Sequence, residues 1–224
     1  MCPNGSRNTI SGMLERYPRS ANRNYAVVFD YDGTLIDSKQ VKVRNYRDAI
    51  MAVFSPPEAM SPDIEESCLR TMGANRFLQL EDTLGILGME ASEMQREEWS
   101  RHYSALNRKT IPSVPEFPSV RRLLRGLEQA GYPLFAASGI LEEEFLRELA
   151  DRGLSGYFLE ATGGDKEAFL KSLVERGFES ILFVGDTIYD QRTAEEVGVS
   201  FFRIDTDEDV RRLEEQLLPT REDG

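Results

Sequence analysis

Two carboxylates stand two residues apart directly after an apolar, β-branched run: Ala26-Val27-Val28-Phe29 stops on Asp30, and Asp32, Gly33 and Thr34 follow. Such a run reads as a buried parallel strand covered on both faces. Groups placed immediately after it lie at its C-terminal end, the edge of an open α/β sheet where ligands bind. Two acids this close repel unless a cation or a shared proton offsets them, and Mg²⁺, with its preference for hard oxygen ligands, would do so. Taken alone, Asp-X-Asp-Gly is equally a polar turn chosen for backbone geometry. The chemistry therefore depends on what the other strand ends carry.

Leu134-Phe135-Ala136-Ala137 reads as a second buried strand and ends on Ser138-Gly139. Ile181-Leu182-Phe183-Val184 reads as another and ends on Gly185-Asp186-Thr187, with Asp190 one helical turn past Asp186. Lys166 opens a helix after the loop Thr162-Gly163-Gly164-Asp165. In a parallel sheet these ends share one edge, so groups far apart in sequence can converge. Their types suit phosphoryl transfer, where distributed negative charge needs Mg²⁺, an ammonium and hydrogen-bond donors. Asp30 can be the covalent nucleophile, giving an aspartyl-phosphate, and Asp32 can protonate the leaving oxygen and later activate water. Ser138 can donate to a phosphoryl oxygen, and Lys166 can neutralise charge there and restrain Asp30. Asp186 can bind Mg²⁺ with Asp30, the backbone carbonyl of Asp32 can help, and Asp190 can hold the metal shell or its waters. Singly, Ser138 reads as a turn residue, Lys166 as a solvated lysine, and Asp186 and Asp190 as a helix cap and a surface acid. It is the joint occurrence that carries the functional reading.

The elements that must position these groups alternate. From Pro118 onward, helical stripes (Val120, Leu123, Leu124, Leu127, then Leu141, Phe145, Leu146, Leu149) separate strands, with a short strand expected at Tyr157–Ala161 and a last one at Val199–Ile204. Thr187 or Asp186 is expected to cap one helix and Asp207 the final one. This rhythm implies an α/β fold, a doubly wound, Rossmann-like parallel sheet with right-handed crossovers. Between the first and second strands the pattern is helical throughout, with Ser61-Pro62 expected to open one helix and Ser92 another. The proline-rich stretch Thr110–Pro118 closes it. Residues 40–113 are thus expected to be an inserted α-helical cap above a core of 25–39 and 114–218, with 1–24 an extension and 219–224 a tail.

Asp30-Tyr31-Asp32-Gly33-Thr34-Leu35-Ile36-Asp37-Ser38 resembles the first motif of the haloacid dehalogenase (HAD) superfamily, chiefly its phosphatases. Ser138-Gly139, Lys166 and Gly185-Asp186-Thr187-Ile188-Tyr189-Asp190 resemble its second, third and fourth motifs, in order. The helical insertion is similar to the cap of the phosphoglycolate phosphatase and β-phosphoglucomutase branch, as are Pro118-Ser-Val-Arg-Arg-Leu-Leu and Gly131-Tyr-Pro-Leu. The resemblance implies Asp30 as nucleophile, Asp32 as acid/base, Lys166 as the catalytic lysine, Ser138 and Gly139 at the phosphate, and a Mg²⁺ site at Asp30, Asp32, Asp186 and Asp190. Asp32 favours phosphate chemistry over dehalogenation, since the family's dehalogenases generally lack that acid. The expected activity is a Mg²⁺-dependent phosphatase for a small phosphorylated metabolite. A phosphomutase of the same architecture and a non-catalytic binding or regulatory module are the alternatives. Arg76, after the glycine-bearing bend Met72-Gly73-Ala74-Asn75, is the cap cation expected to select substrate, whereas His102 is expected to be a cap residue without catalytic duty.

Composition agrees. The chain has 224 residues and a net charge of −12, which disfavours nucleic acid and anionic membrane surfaces as partners. It has no apolar run of spanning length and no apolar signal segment at Met1–Asn24. Cys2 and Cys68 lack metal-ligand spacing, and a reducing cytoplasm is expected, with a monomer or homodimer as the assembly.

Overall fold

The computed structural model describes residues 24–218. The N-terminal extension, with the short helical turn expected near Met13-Leu14, and the tail from Pro219 lie outside the described residues. The strands β1 (Tyr25–Phe29), β2 (Leu134–Ser138), β3 (Glu160–Gly163), β4 (Ser180–Gly185) and β5 (Ser200–Arg203) form one sheet in the order β3-β2-β1-β4-β5. Every pairing is parallel, and Phe29 at the end of β1 lies level with Ala136 of β2 and Val184 of β4. The chain runs outward through β2 and β3, then returns across β1 to β4. The crevice between β1 and β4 is therefore the topological switch point, where ligands bind in such sheets.

Because side chains alternate along a strand, each of the three inner strands feeds two layers. Val27, Phe29, Leu134, Ala136, Leu182 and Val184 meet the helices α5 (Val120–Gln129), α6 (Glu142–Asp151) and α9 (Asp207–Leu217). Ala26, Val28, Phe135, Ala137, Ile181 and Phe183 meet α7 (Lys166–Glu175) and α8 (Ile188–Val197). Burial on both faces is why these strands read as continuous apolar runs. Each large side chain so buried contributes about 1.5–3 kcal/mol, which fixes the rim on which the polar groups stand.

Four helices, α1 (Lys39–Phe54), α2 (Ser61–Thr71), α3 (Arg76–Leu87) and α4 (Glu93–Thr110), follow β1 and pack around an apolar cluster of their own. At its centre Tyr46 meets Trp99 and Tyr103 edge-on, at 5.5 and 5.8 Å, and those two rings stack at 5.6 Å. Proline stops α1 after Ser55, whose φ of 48° turns the chain, and a capping box of Ser92 and Gln95 starts α4.

Local details differ from expectation. Ser61 does not cap α2; a 3₁₀ turn, Glu58–Met60, runs straight into the helix, and Ser61 is its first residue. Tyr157 belongs to another 3₁₀ turn, so β3 begins only at Glu160, where pairing with Phe135 sets its register. Thr206, in a capping box with Asp209, caps α9. The Asp207 carboxylate instead accepts hydrogen bonds from the Ser119 amide and hydroxyl, at 2.8 and 3.0 Å, tying the start of α9 to α5.

Candidate active site

β1 ends on Asp30, whose amide donates to the Val184 carbonyl at 2.8 Å, so the sheet itself holds this backbone in place. The chain then turns tightly: the Tyr31 carbonyl accepts from the amides of Thr34, Leu35 and Ile36. Gly33 at φ 78° permits that turn, and a Cβ there would stand 2.4 Å from Asp186 Oδ2, so only glycine lets the first turn lie against β4's carboxylate. Across the crevice Asp186 follows β4 and Asp190 sits in the first turn of α8, in a capping box with Thr187.

Carboxylate oxygens of Asp30, Asp186 and Asp190 approach within 4.8 Å of one another, and all three residues are buried. Lys166, itself buried at the start of α7, places Nζ 2.7 Å from Asp30 Oδ1 and 2.6 Å from Asp190 Oδ1. The other Asp190 oxygen accepts from the Thr187 amide and hydroxyl, at 3.1 and 2.5 Å. Both Asp190 oxygens are thus engaged. Asp186 is the reverse: neither oxygen accepts a hydrogen bond, and its one close cation is Lys39, whose Nζ lies 3.3 Å away. Burial pushes the Asp30 carboxyl well above the ordinary carboxylate range; Lys166 pulls it back, and Asp190 and Asp186 push it up again. Burial, then Asp190, pushes Asp186 up to about 6, against the pull of Lys39 and Lys166. A buried carboxylate that accepts no hydrogen bond and has only one long ion pair, beside two other acids, fits a small hard cation.

Asp32 faces the other way. Its carboxylate accepts from Ser38 Oγ at 2.8 Å and pairs with Lys42 Nζ at 2.9 Å, outside the three-acid cluster. Ser38 Oγ also accepts the Gly33 amide at 3.2 Å, so the turn and Asp32 lock together. At the end of β2, Ser138 Oγ accepts from the Ile140 amide at 3.3 Å, which leaves its own proton free to donate.

Asp30, Asp32, Ser138, Gly139, Lys166 and Asp186 line one cavity of about 60 Å³, and Asp190 stands behind it on Lys166. Its roof is the loop between α2 and α3. Gly73, at φ 92°, rests on Thr187, and the carbonyls of Gly73 and Ala74 come within 3.4 and 3.3 Å of where a Gly139 Cβ would be. Arg76 lines the cavity too. It is buried, donates to Ser104 Oγ at 2.8 Å, and pairs with Glu144 of α6 at 3.0 Å, bridging the helical layer to the sheet layer. His102 is exposed on α4.

With all four carboxylates ionised, Asp30, Asp32, Asp186 and Asp190 outnumber the three ammoniums of Lys39, Lys42 and Lys166 by one, the Arg76–Glu144 pair cancelling itself; a divalent cation would make the crevice positive and suit it to a phosphate ester. Lys39 and Lys42 are absent from the sequence-derived site. Lys42 carried a readable signal: it interrupts the buried face of α1 that Val43, Tyr46, Ala49 and Ile50 define. A charge on such a face implies a buried partner. Lys39 carried none, because helix-start lysines are commonplace.

The sequence profile of the haloacid dehalogenase-like hydrolases matches residues 27–204. The chain belongs to this family. No curated protein matches it. Among solved structures, a predicted phosphoglycolate phosphatase from Haemophilus somnus 129pt is 21% identical with a TM-score of 0.64, over 79% of this chain and 83% of that one. A hydrolase from Pseudomonas syringae is 19% identical with a TM-score of 0.70, over 84% and 89%. A β-phosphoglucomutase candidate from Thermotoga maritima is 19% identical with a TM-score of 0.57, over 85% and 99%. At such identities the likeness is one of fold. Among the described residues no helix is long and apolar enough to cross a membrane.

Proposed function

We propose that this protein is a Mg²⁺-dependent phosphatase that hydrolyses a small phosphorylated metabolite through an aspartyl-phosphate on Asp30. The observation that carries the reading is the convergence of Asp30, Asp32, Ser138 and Lys166 on one cavity with a buried Asp186 that accepts no hydrogen bond. Asp30 and Asp186 would hold the cation with the Asp32 carbonyl, Asp190 would hold its shell or waters, and the cation would offset charge between nucleophile and phosphoryl group. Residues 40–113 serve as the cap that shields the reaction.

In this mechanism Asp30 attacks phosphorus while Lys166 holds it in place and neutralises the phosphoryl oxygens. Ser138 donates to one of those oxygens. Asp32, aimed by Ser38 and Lys42, delivers a proton to the leaving oxygen and takes one from the water that cleaves the acyl-phosphate. Arg76 selects substrate from the roof, and an unchanged KM across substrates in Arg76→Ala would remove it from that role.

The test is a phosphate-release screen over phosphosugars, nucleotides, phosphoglycolate and other small esters, with Mg²⁺ and with EDTA. Stoichiometric, Mg²⁺-dependent phosphate release supports the proposal. Isomerised phosphosugar without release would make the protein a phosphomutase, and no turnover across the panel would make it a binding module.

A further inference from the structure

The three ammoniums on the crevice are held differently. Lys166 is buried between two carboxylates at 2.7 and 2.6 Å, and Lys42 is buried on one at 2.9 Å. Lys39, at the first position of α1, is one-third exposed and makes only long contacts, 3.3 Å to Asp186 and 3.5 Å to Asp205. Asp205 follows β5 at the outer lip of the crevice. Arg203 fixes its carboxylate at 2.5 and 3.2 Å, and its amide donates to Asp209 at 3.1 Å. Lys39 therefore hangs between an inner carboxylate that is buried and takes no hydrogen bond and an outer one that is already anchored. A lysine is a point charge on a flexible stem, so moving between two such acceptors takes only rotamer changes.

We propose that Lys39 is a tethered competitor for the cation at the Asp30–Asp186–Asp190 cluster: it neutralises Asp186 when the cation is away and withdraws to Asp205 when the cation binds. The inference rests on the metal-dependent reading above and adds to it a positioning residue that sets metal affinity. Two positive charges cannot share one carboxylate without repulsion, so Lys39 weakens binding and Asp205, by offering it a second berth, limits that weakening. The two residues must then have opposite effects, and the effect of Asp205 must vanish once Lys39 is removed, which separates this role from simple through-space charge.

Titration calorimetry of the full chain with MgCl₂ at low salt tests this, with circular dichroism confirming that each variant is folded. Lys39→Met is expected to tighten the Mg²⁺ dissociation constant by about tenfold. Asp205→Asn, which keeps Lys39 on Asp186, is expected to loosen it by about threefold. The double variant is expected to match Lys39→Met, since Asp205 acts only through Lys39. Lys109→Met, at an exposed position on α4, is the control for net charge and is expected to change nothing. If Lys39→Met leaves the constant unchanged or weakens it, or if Asp205→Asn still loosens binding without Lys39, the competitor role is overturned. If the unaltered protein takes up no Mg²⁺, the metal-dependent reading itself falls, and the competitor role with it.

Discussion

Replacing Lys166 by methionine should separate the electrostatic work of this side chain from its packing. The aliphatic stem, which places Nζ 6.0 Å from the Phe183 ring, is largely kept, while the ammonium that joins Asp30 and Asp190 is lost. Breaking a buried pair by removing one partner costs about 3–5 kcal/mol, because the remaining charge is left uncompensated. Here two carboxylates are left at once. For a chain of this length each kcal/mol lowers Tm by about 2–4 °C, so metal-free Lys166→Met should melt about 6–20 °C below the unaltered protein at pH 7.5. The deficit must shrink as pH falls. The folded carboxyls of Asp30 and Asp186 are raised above the ordinary value of 3.8, so the folded state binds protons more tightly than the unfolded chain. Stability at these groups is therefore gained as pH falls through the folded values toward 4, and removing Lys166 strengthens that gain. Melting curves in EDTA at pH 7.5 and 5 measure both effects, and steady-state phosphate release should show kcat lower by about 10²–10³. A variant as stable as the parent at pH 7.5, or one whose deficit grows at pH 5, would refute the view that Lys166 neutralises the buried acids.

Asp30→Asn should abolish turnover while leaving Tm unchanged or raised, since it removes one of three mutually repelling acids; retained phosphate release excludes Asp30 as nucleophile. Without metal, the unaltered protein should lose stability at this site as pH rises from 4 to 6. Asp186, raised from 3.8 to about 6, accounts for about 3 kcal/mol of that loss. Saturating Mg²⁺ should flatten the profile, and urea titrations across this range decide it. Gly73→Ala would bring a Cβ 2.4 Å from Thr187 Oγ1 at a φ of 92°. It should lift the roof, raise KM, and cost about 1–3 kcal/mol, whereas unchanged KM and Tm would show that the roof yields freely.

The motifs of the sheet edge were legible because a parallel strand buried on both faces writes itself as an unbroken apolar run, and whatever follows must stand at the rim. Asp30, Ser138 and Asp186 could be placed that way, and Lys166 by its loop and helix start. Edge strand β3 was misplaced because its residues, Glu160 to Gly163, are only half-buried, so no apolar pattern marks them; pairing with β2 alone fixes them. Helix ends were uncertain for a related reason. Asp207 looks like a cap, yet Ser119, far away in sequence, claims its carboxylate, and Thr206 caps instead.

What the sequence alone determined, then, is the order of strands and helices and the identity of the rim groups, because burial and backbone conformation are local demands on composition. Which partners those groups take was decided only by the tertiary structure. Lys42 on Asp32, Lys39 between Asp186 and Asp205, and Arg76 on Glu144 are contacts between elements whose approach no spacing encodes. A charged side chain announces that it needs a counter-charge; the fold chooses which one comes within reach.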